Sequence, residues 1–138
     1  MRFITRDVDY AIRSLIFMCR ALREKDKRII TVDNIVSEEK LPRVFLRRIL
    51  QKLADKRILL SYKGKSGGFS FRIQPSKISF ADIIKVFQGK IDLTNCFLKE
   101  KTCPNVSTCN VRKKIKTINA HVTRDLEKIT IQGLSKKR

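Results

Sequence analysis

The sequence predicts a mainly α-helical chain carrying one small β-hairpin. Three observations predict it. Apolar residues recur at helical spacing in five separate stretches. A single pair of strand-like runs flanks a glycine-rich pentapeptide. Near the C-terminus, apolar residues alternate at steps of three and four over a long, otherwise polar stretch. With 138 residues and 42% hydrophobic content, the chain can build one compact domain and an appended element, but not two independent cores.

The first helix lies between Asp7 and Arg23. Val8, Ala11, Ile12, Leu15, Met18, Cys19 and Leu22 form its apolar stripe, with Arg13, Arg20 and Arg23 off it. Glu24 to Arg28 reads as a charged loop. Thr31 then stands as N-cap of a brief helix bearing Val32, Ile35 and Val36, which ends near Glu39 to Leu41. Pro42 suits the first turn of a third helix, whose stripe is Phe45, Leu46, Ile49, Leu50 and Leu53. Two short helices across a tight turn make a helix-turn-helix.

Ile58 to Lys63 and Phe69 to Ile73 read as strands. Gly64, Lys65, Ser66, Gly67 and Gly68 between them supply the backbone freedom that a hairpin loop needs. A helix-turn-helix followed by such a hairpin is a winged helix. Ser79 with Asp82 starts a fourth helix in capping-box fashion, Phe80, Ile83, Ile84 and Phe87 face inward, and Gly89 stops it. After a loop holding three cysteines, Val111, Ile115, Ile118, Val122, Leu126 and Ile129 mark a last helix of about 20 residues. The chain therefore divides into a winged helix-turn-helix DNA-binding domain (residues 1–90), a cysteine-bearing loop (91–109), and a long helix with a basic tail (110–138).

Charge points to the partner. The 32 Lys and Arg against 13 Asp and Glu give a formal charge of +19, which calls for an anionic partner, either nucleic acid or an anionic membrane surface. The longest early apolar run, Leu15 to Cys19, is closed by Arg20, and neither a spanning segment nor a signal peptide is visible. The expectation is a cytoplasmic protein without a membrane partner. Between Lys40 and Lys77 stand eleven basic residues and one acid, Asp55. They concentrate on the second helix of the helix-turn-helix and on the hairpin, the elements that a winged helix presents to double-stranded DNA. Arg43, Val44 and Arg47, in the N-terminal half of that helix, are candidates for base contact. Arg48, Lys52, Lys63 and Lys65 are placed for phosphates. One histidine, no suggestive carboxylate pair and no phosphate-binding glycine loop ahead of a helix argue against an enzyme.

Cys96, Cys103 and Cys109 are separated by six and five residues. Structural zinc sites bring cysteines in closely spaced pairs, which are missing here. Three thiolates on a loop can instead wrap a larger iron-sulfur cluster, with zinc or redox-active free thiols as the alternatives. His121 sits on the last helix and reads as a surface residue. Cys19, on the first helix's apolar stripe, reads as a small buried hydrophobe.

Five segments in register carry a resemblance over nearly the whole chain. They are the opening Met-Arg-Phe-Ile-Thr with Asp9-Tyr10-Ala11-Ile12, then Phe45-Leu46-Arg47-Arg48-Ile49-Leu50, Gly64-Lys65-Ser66-Gly67-Gly68-Phe69, the three cysteines, and Ile129-Thr130-Ile131-Gln132-Gly133-Leu134. Together they resemble the Rrf-two (BadM) winged-helix transcriptional regulators, whose iron-sulfur members include IscR, NsrR and RirA. The resemblance implies a homodimer paired through the last helix and, from its two-fold symmetry, a palindromic operator. It implies that Cys96, Cys103 and Cys109 bind the cluster, with 4Fe-4S favoured over 2Fe-2S. In IscR-like members a histidine three residues after the last cysteine completes the site, and here Arg112 stands there. In NsrR-like members an acidic residue from the first helix of the other subunit does so, which places Asp9 in that position. The implied function is a regulator, a repressor, whose operator affinity follows a cluster that senses redox state, nitric oxide or iron. Asp9 could equally complement the helix dipole, and Asp7 could cap the helix.

Overall fold

The computed structural model describes residues 3–93 and 109–136. Helix α1 (Arg6–Lys25) packs against the next three helices and buries Val8, Ala11, Ile12, Leu15, Met18 and Cys19 of the stripe read from the sequence, whereas Leu22, its last member, is only partly buried. Its N-cap is Thr5, whose hydroxyl accepts from the Val8 amide at 3.4 Å; Asp7 and Asp9 lie inside the first turn. The helix runs through Lys25 and closes on Asp26 in the left-handed conformation, so part of the expected loop is helical.

Helix α2 (Val32–Glu39) opens on a capping box in which Thr31 and Asn34 satisfy each other's backbone amides. Lys40 ends it with φ 53°, and Leu41 is buried in the turn. Helix α3 (Arg43–Asp55) follows with Pro42 at its N-cap. Leu46, Ile49, Leu50 and Leu53 are buried, but Phe45 is 41% exposed. The reason is angular: at about 100° per residue, Phe45 lies about 90° from the centre of the stripe that the other four define. Arg13 of α1 donates to the Glu39 carbonyl at 3.0 Å, tying α1 to the end of α2 just before the turn.

Strands β1 (Leu59–Tyr62) and β2 (Gly68–Phe71) pair antiparallel, with Leu59 opposite Phe71 and Tyr62 opposite Gly68. A third partner joins β2 on its other edge. Ile30 exchanges both backbone hydrogen bonds with Phe69, at 2.8 Å each. Gly68 is required there, because a Cβ would stand 2.6 Å from the Ile30 carbonyl oxygen.

A 3₁₀ turn (Pro75–Lys77) leads to α4 (Phe80–Gln88). The Ser79–Asp82 capping box is present, and Ala81, Ile83 and Ile84 are its buried residues, with Phe80 and Phe87 packed partly against the core. Ser79→Ala removes the oxygen that accepts from the Asp82 amide and is expected to cost about 1 kcal/mol, read from the urea midpoint.

Helix α5 (Asn110–Lys128) buries none of its residues within its own chain. Val111 and Ile118 are 53% and 50% exposed, whereas Leu126 packs against the core. Ile129 caps α5 in an extended conformation, so the last apolar position expected in the helix lies just beyond it. The chain then bridges back to the start of α4. The Phe80 amide donates to the Ile129 carbonyl at 2.8 Å, and the Ile131 amide to the Ile78 carbonyl at 2.9 Å. A short helix α6 (Ile131–Leu134) inserts Ile131 fully into the core against α1 and the 3₁₀ turn. No helix among the described residues is long and apolar enough to cross a membrane.

Candidate nucleic-acid interface and cysteine site

A groove of about 1190 Å³ runs between α3 and the hairpin. Arg43, Val44, Arg47, Arg48, Lys52, Lys63 and Lys65, the seven residues singled out from the sequence, all line it, together with Lys56. The α3 residues reach it because burial of Leu46, Ile49, Leu50 and Leu53 turns the opposite face outward. Lys63 and Lys65 reach it because β2 is held between β1 and Ile30, which fixes where the hairpin projects. Cations dominate the groove, so its field favours a polyanion.

The cations are not equivalent. Arg43 forms an ion pair with Asp33 at the start of α2. Arg48 lies 5.5 Å above the Phe45 ring and 3.4 Å from Asp7, so it leans toward α1. The Lys52 ammonium lies 5.3 Å over Phe87 of α4. Arg47 makes no ion pair with a described residue. Asp33, Gln51 and Tyr62 also line the groove, although no motif in the sequence marks them as contact residues. Their placement depends on how α2, α3 and the hairpin pack, and nothing in their local sequence signals it.

Of the candidate cluster ligands, Cys96 and Cys103 lie outside the described residues. Cys109 is a free, partly buried thiol at the N-cap of α5. One turn on, Arg112 keeps its Nε buried with no hydrogen-bond partner among the described residues. Thiolate and sulfide are acceptors of the kind that would satisfy such a buried N–H donor, and Cys109 is the one candidate thiolate among the described residues. Asp9 is exposed on the first turn of α1 and forms an ion pair with Arg13 at 3.8 Å. His121 is exposed on α5, as expected of a surface residue. Cys19 is buried and its thiol donates to the Ser135 hydroxyl at 3.3 Å, in keeping with its reading as a core residue. Among the described residues no three His, Cys, Asp or Glu side chains are grouped closely enough to hold a metal ion.

A helix-turn-helix, a three-partner wing and a basic groove between them define a winged-helix protein of the kind that regulates transcription. The chain belongs to the Rrf2 family, described as "Iron-dependent Transcriptional regulator", which matches residues 4–137. This family consists of transcriptional regulators rather than enzymes. The chain is 30% identical over 129 residues to a protein of Aquifex aeolicus (strain VF5) assigned as an HTH-type transcriptional regulator, covering 92% of this chain and 87% of that one. It is 24% identical over 132 residues to the HTH-type transcriptional regulator NsrR of Shouchella clausii (strain KSM-K16), covering 95% and 87%. In fold it is similar to CymR, the global cysteine regulator of B. subtilis, with a TM-score of 0.76 at 20% identity over 98% of this chain and 97% of that one.

Proposed function

We propose that the chain is a homodimeric, cytoplasmic repressor that binds a palindromic operator in double-stranded DNA, with an affinity set by an iron-sulfur cluster, 4Fe-4S in preference to 2Fe-2S. The observation that carries the DNA-binding part is the groove, where the recognition helix α3 and the wing turn seven candidate contact residues to one side. Arg47, whose guanidinium makes no ion pair with a described residue, holds a guanine through its two major-groove acceptors, and Lys63 and Lys65 take phosphates on the flank. Arg43 must exchange Asp33 for DNA to contribute. Residues 1–90 are the DNA-binding unit, 91–109 the sensing loop and 110–138 the dimerisation element. The half-exposed Val111 and Ile118 on α5 support that last role, since an apolar stripe that its own chain leaves open suits a second copy of the helix.

Cys96, Cys103 and Cys109 would hold the cluster, with Asp9 of the partner subunit as fourth ligand. The family description and the NsrR relative support this reading. When bound, the cluster supplies thiolate-ligated iron that reacts with oxidants or nitric oxide. Asp9 stands two residues from Asp7, which pairs with Arg48 on the recognition helix, so a shift at the start of α1 bears directly on α3. α1 and α3 are also packed together.

Two measurements test the reading. Arg47→Ala is expected to weaken binding to a sequence selected from random duplexes by about 1 to 3 kcal/mol, and to random DNA by less, in fluorescence anisotropy at fixed salt. Equal losses on both would make Arg47 a phosphate contact. Protein with and without cluster is expected to differ in affinity for that selected duplex, and equal affinity would remove the cluster from regulation.

A further inference from the structure

We propose that Val44 reads the 5-methyl group of a thymine, so that each half-site carries a thymine within about two base pairs of the guanine held by Arg47. The inference rests on the DNA-binding reading above and adds a base preference to it. Val44 is 80% exposed, the most exposed of the large apolar side chains among the described residues. A lone exposed aliphatic residue on a protein surface needs no explanation in general. Here, however, it stands in the first turn of the recognition helix and lines a groove whose other exposed α3 residues are charged or amide-bearing.

A valine can neither donate nor accept a hydrogen bond, so phosphates and most base edges offer it nothing. The one apolar group that the major groove presents is the thymine methyl. Other exposed apolar side chains nearby are less suited. Phe45 lies under the Arg48 guanidinium and does not line the groove, and Tyr62 belongs to the wing, where its hydroxyl accepts from Ser70 at 3.2 Å. Arg43 is engaged with Asp33, which leaves Val44 and Arg47 as neighbours at i and i+3 on one face of the helix. Their side chains start about 5 to 6 Å apart, and stacked bases are about 3.4 Å apart, so the two reach adjacent or next-adjacent base pairs.

The test uses the full-length chain and the tightest duplex recovered from a random-sequence library. Each thymine is replaced in turn by deoxyuridine, which removes the methyl group and nothing else. One thymine per half-site is expected to lose about 4-fold in affinity on this replacement, the effect of one buried methyl group. Val44→Ala is expected to discriminate between the thymine and uracil duplexes less than the wild type does while melting at the wild-type temperature, since the side chain is 80% exposed and has little to lose in the folded protein. Absence of a methyl-sensitive thymine overturns the inference, as does a Val44→Ala protein that keeps the full uracil sensitivity. In both of those cases a preferred duplex still exists and the DNA-binding reading stands. A library that yields no duplex bound more tightly than the random pool overturns both.

Discussion

Cys103→Ala, purified without oxygen, is expected to be colourless and to contain neither iron nor acid-labile sulfide, whereas the wild type is brown with iron and sulfide in matched amounts. Losing one thiolate of three removes a strong ligand that neither a backbone carbonyl nor water replaces well, so the effect is close to complete rather than graded. Cys19→Ala is the internal control. Its thiol is buried in the core and bonded to Ser135, so this variant is expected to keep the wild-type iron content. His121→Ala, at an exposed position on α5, is expected to keep it too. Colourless wild-type protein that contains zinc, or no metal with titratable thiols, would transfer the sensing role to zinc or to the thiols themselves and leave the DNA-binding groove untouched.

Ile131→Ala is expected to lower the unfolding free energy by about 2 to 4 kcal/mol, measured from urea midpoints with the denaturant slope unchanged. Ile131 is completely buried although it comes after the long exposed helix, and its amide is fixed to the Ile78 carbonyl at 2.9 Å. Truncating it leaves a cavity against α1 that the backbone bridge prevents from collapsing. A marginally stable domain has about 5 to 15 kcal/mol in all, so this one change removes a large share. Leu134→Ala, at a position 36% exposed, is expected to cost well under half as much. If the two variants cost the same, the C-terminal return does not belong to the cooperative unit.

The return has a polar lock as well as an apolar one. Ser135 is fully buried, and its carbonyl accepts from Arg23 at 2.8 Å and from Arg20 at 3.2 Å. Arg20 and Arg23 read from the sequence simply as residues off the apolar stripe of α1. Their partners are more than a hundred residues away, and no periodicity within α1 can reveal them.

Legibility followed the range of the interaction concerned. The apolar stripe of α1, the N-cap at Thr31 and the capping box at Ser79 are legible because each is settled by residues within about four positions of one another, whereas the box that Asn34 completes at Thr31 appears only in the structure. Phe45 adjoins a true core position and so resembles a stripe residue, but it lies about 90° from the centre of the stripe that Leu46, Ile49, Leu50 and Leu53 define and is half-exposed. Thr5, rather than Asp7, caps α1, and both residue types are good caps, so local preference could not choose between them. Ile30 gave no strand signal, since a one-residue bridge has no alternation to detect, yet it holds the wing in place.

By itself the sequence determined the helices, the hairpin, the excess of positive charge along residues 40–77 and the spacing of Cys96, Cys103 and Cys109, because composition, periodicity and capping are properties of short stretches of chain. Tertiary structure decided which of the cations are engaged with described residues, that β2 takes Ile30 as a second neighbour, and that the segment after α5 returns to the core through Ile131 and Ser135. Each of these depends on a contact between residues far apart in sequence. Such contacts form only when buried surfaces from different elements are brought together, and the local pattern of any one element carries no record of them.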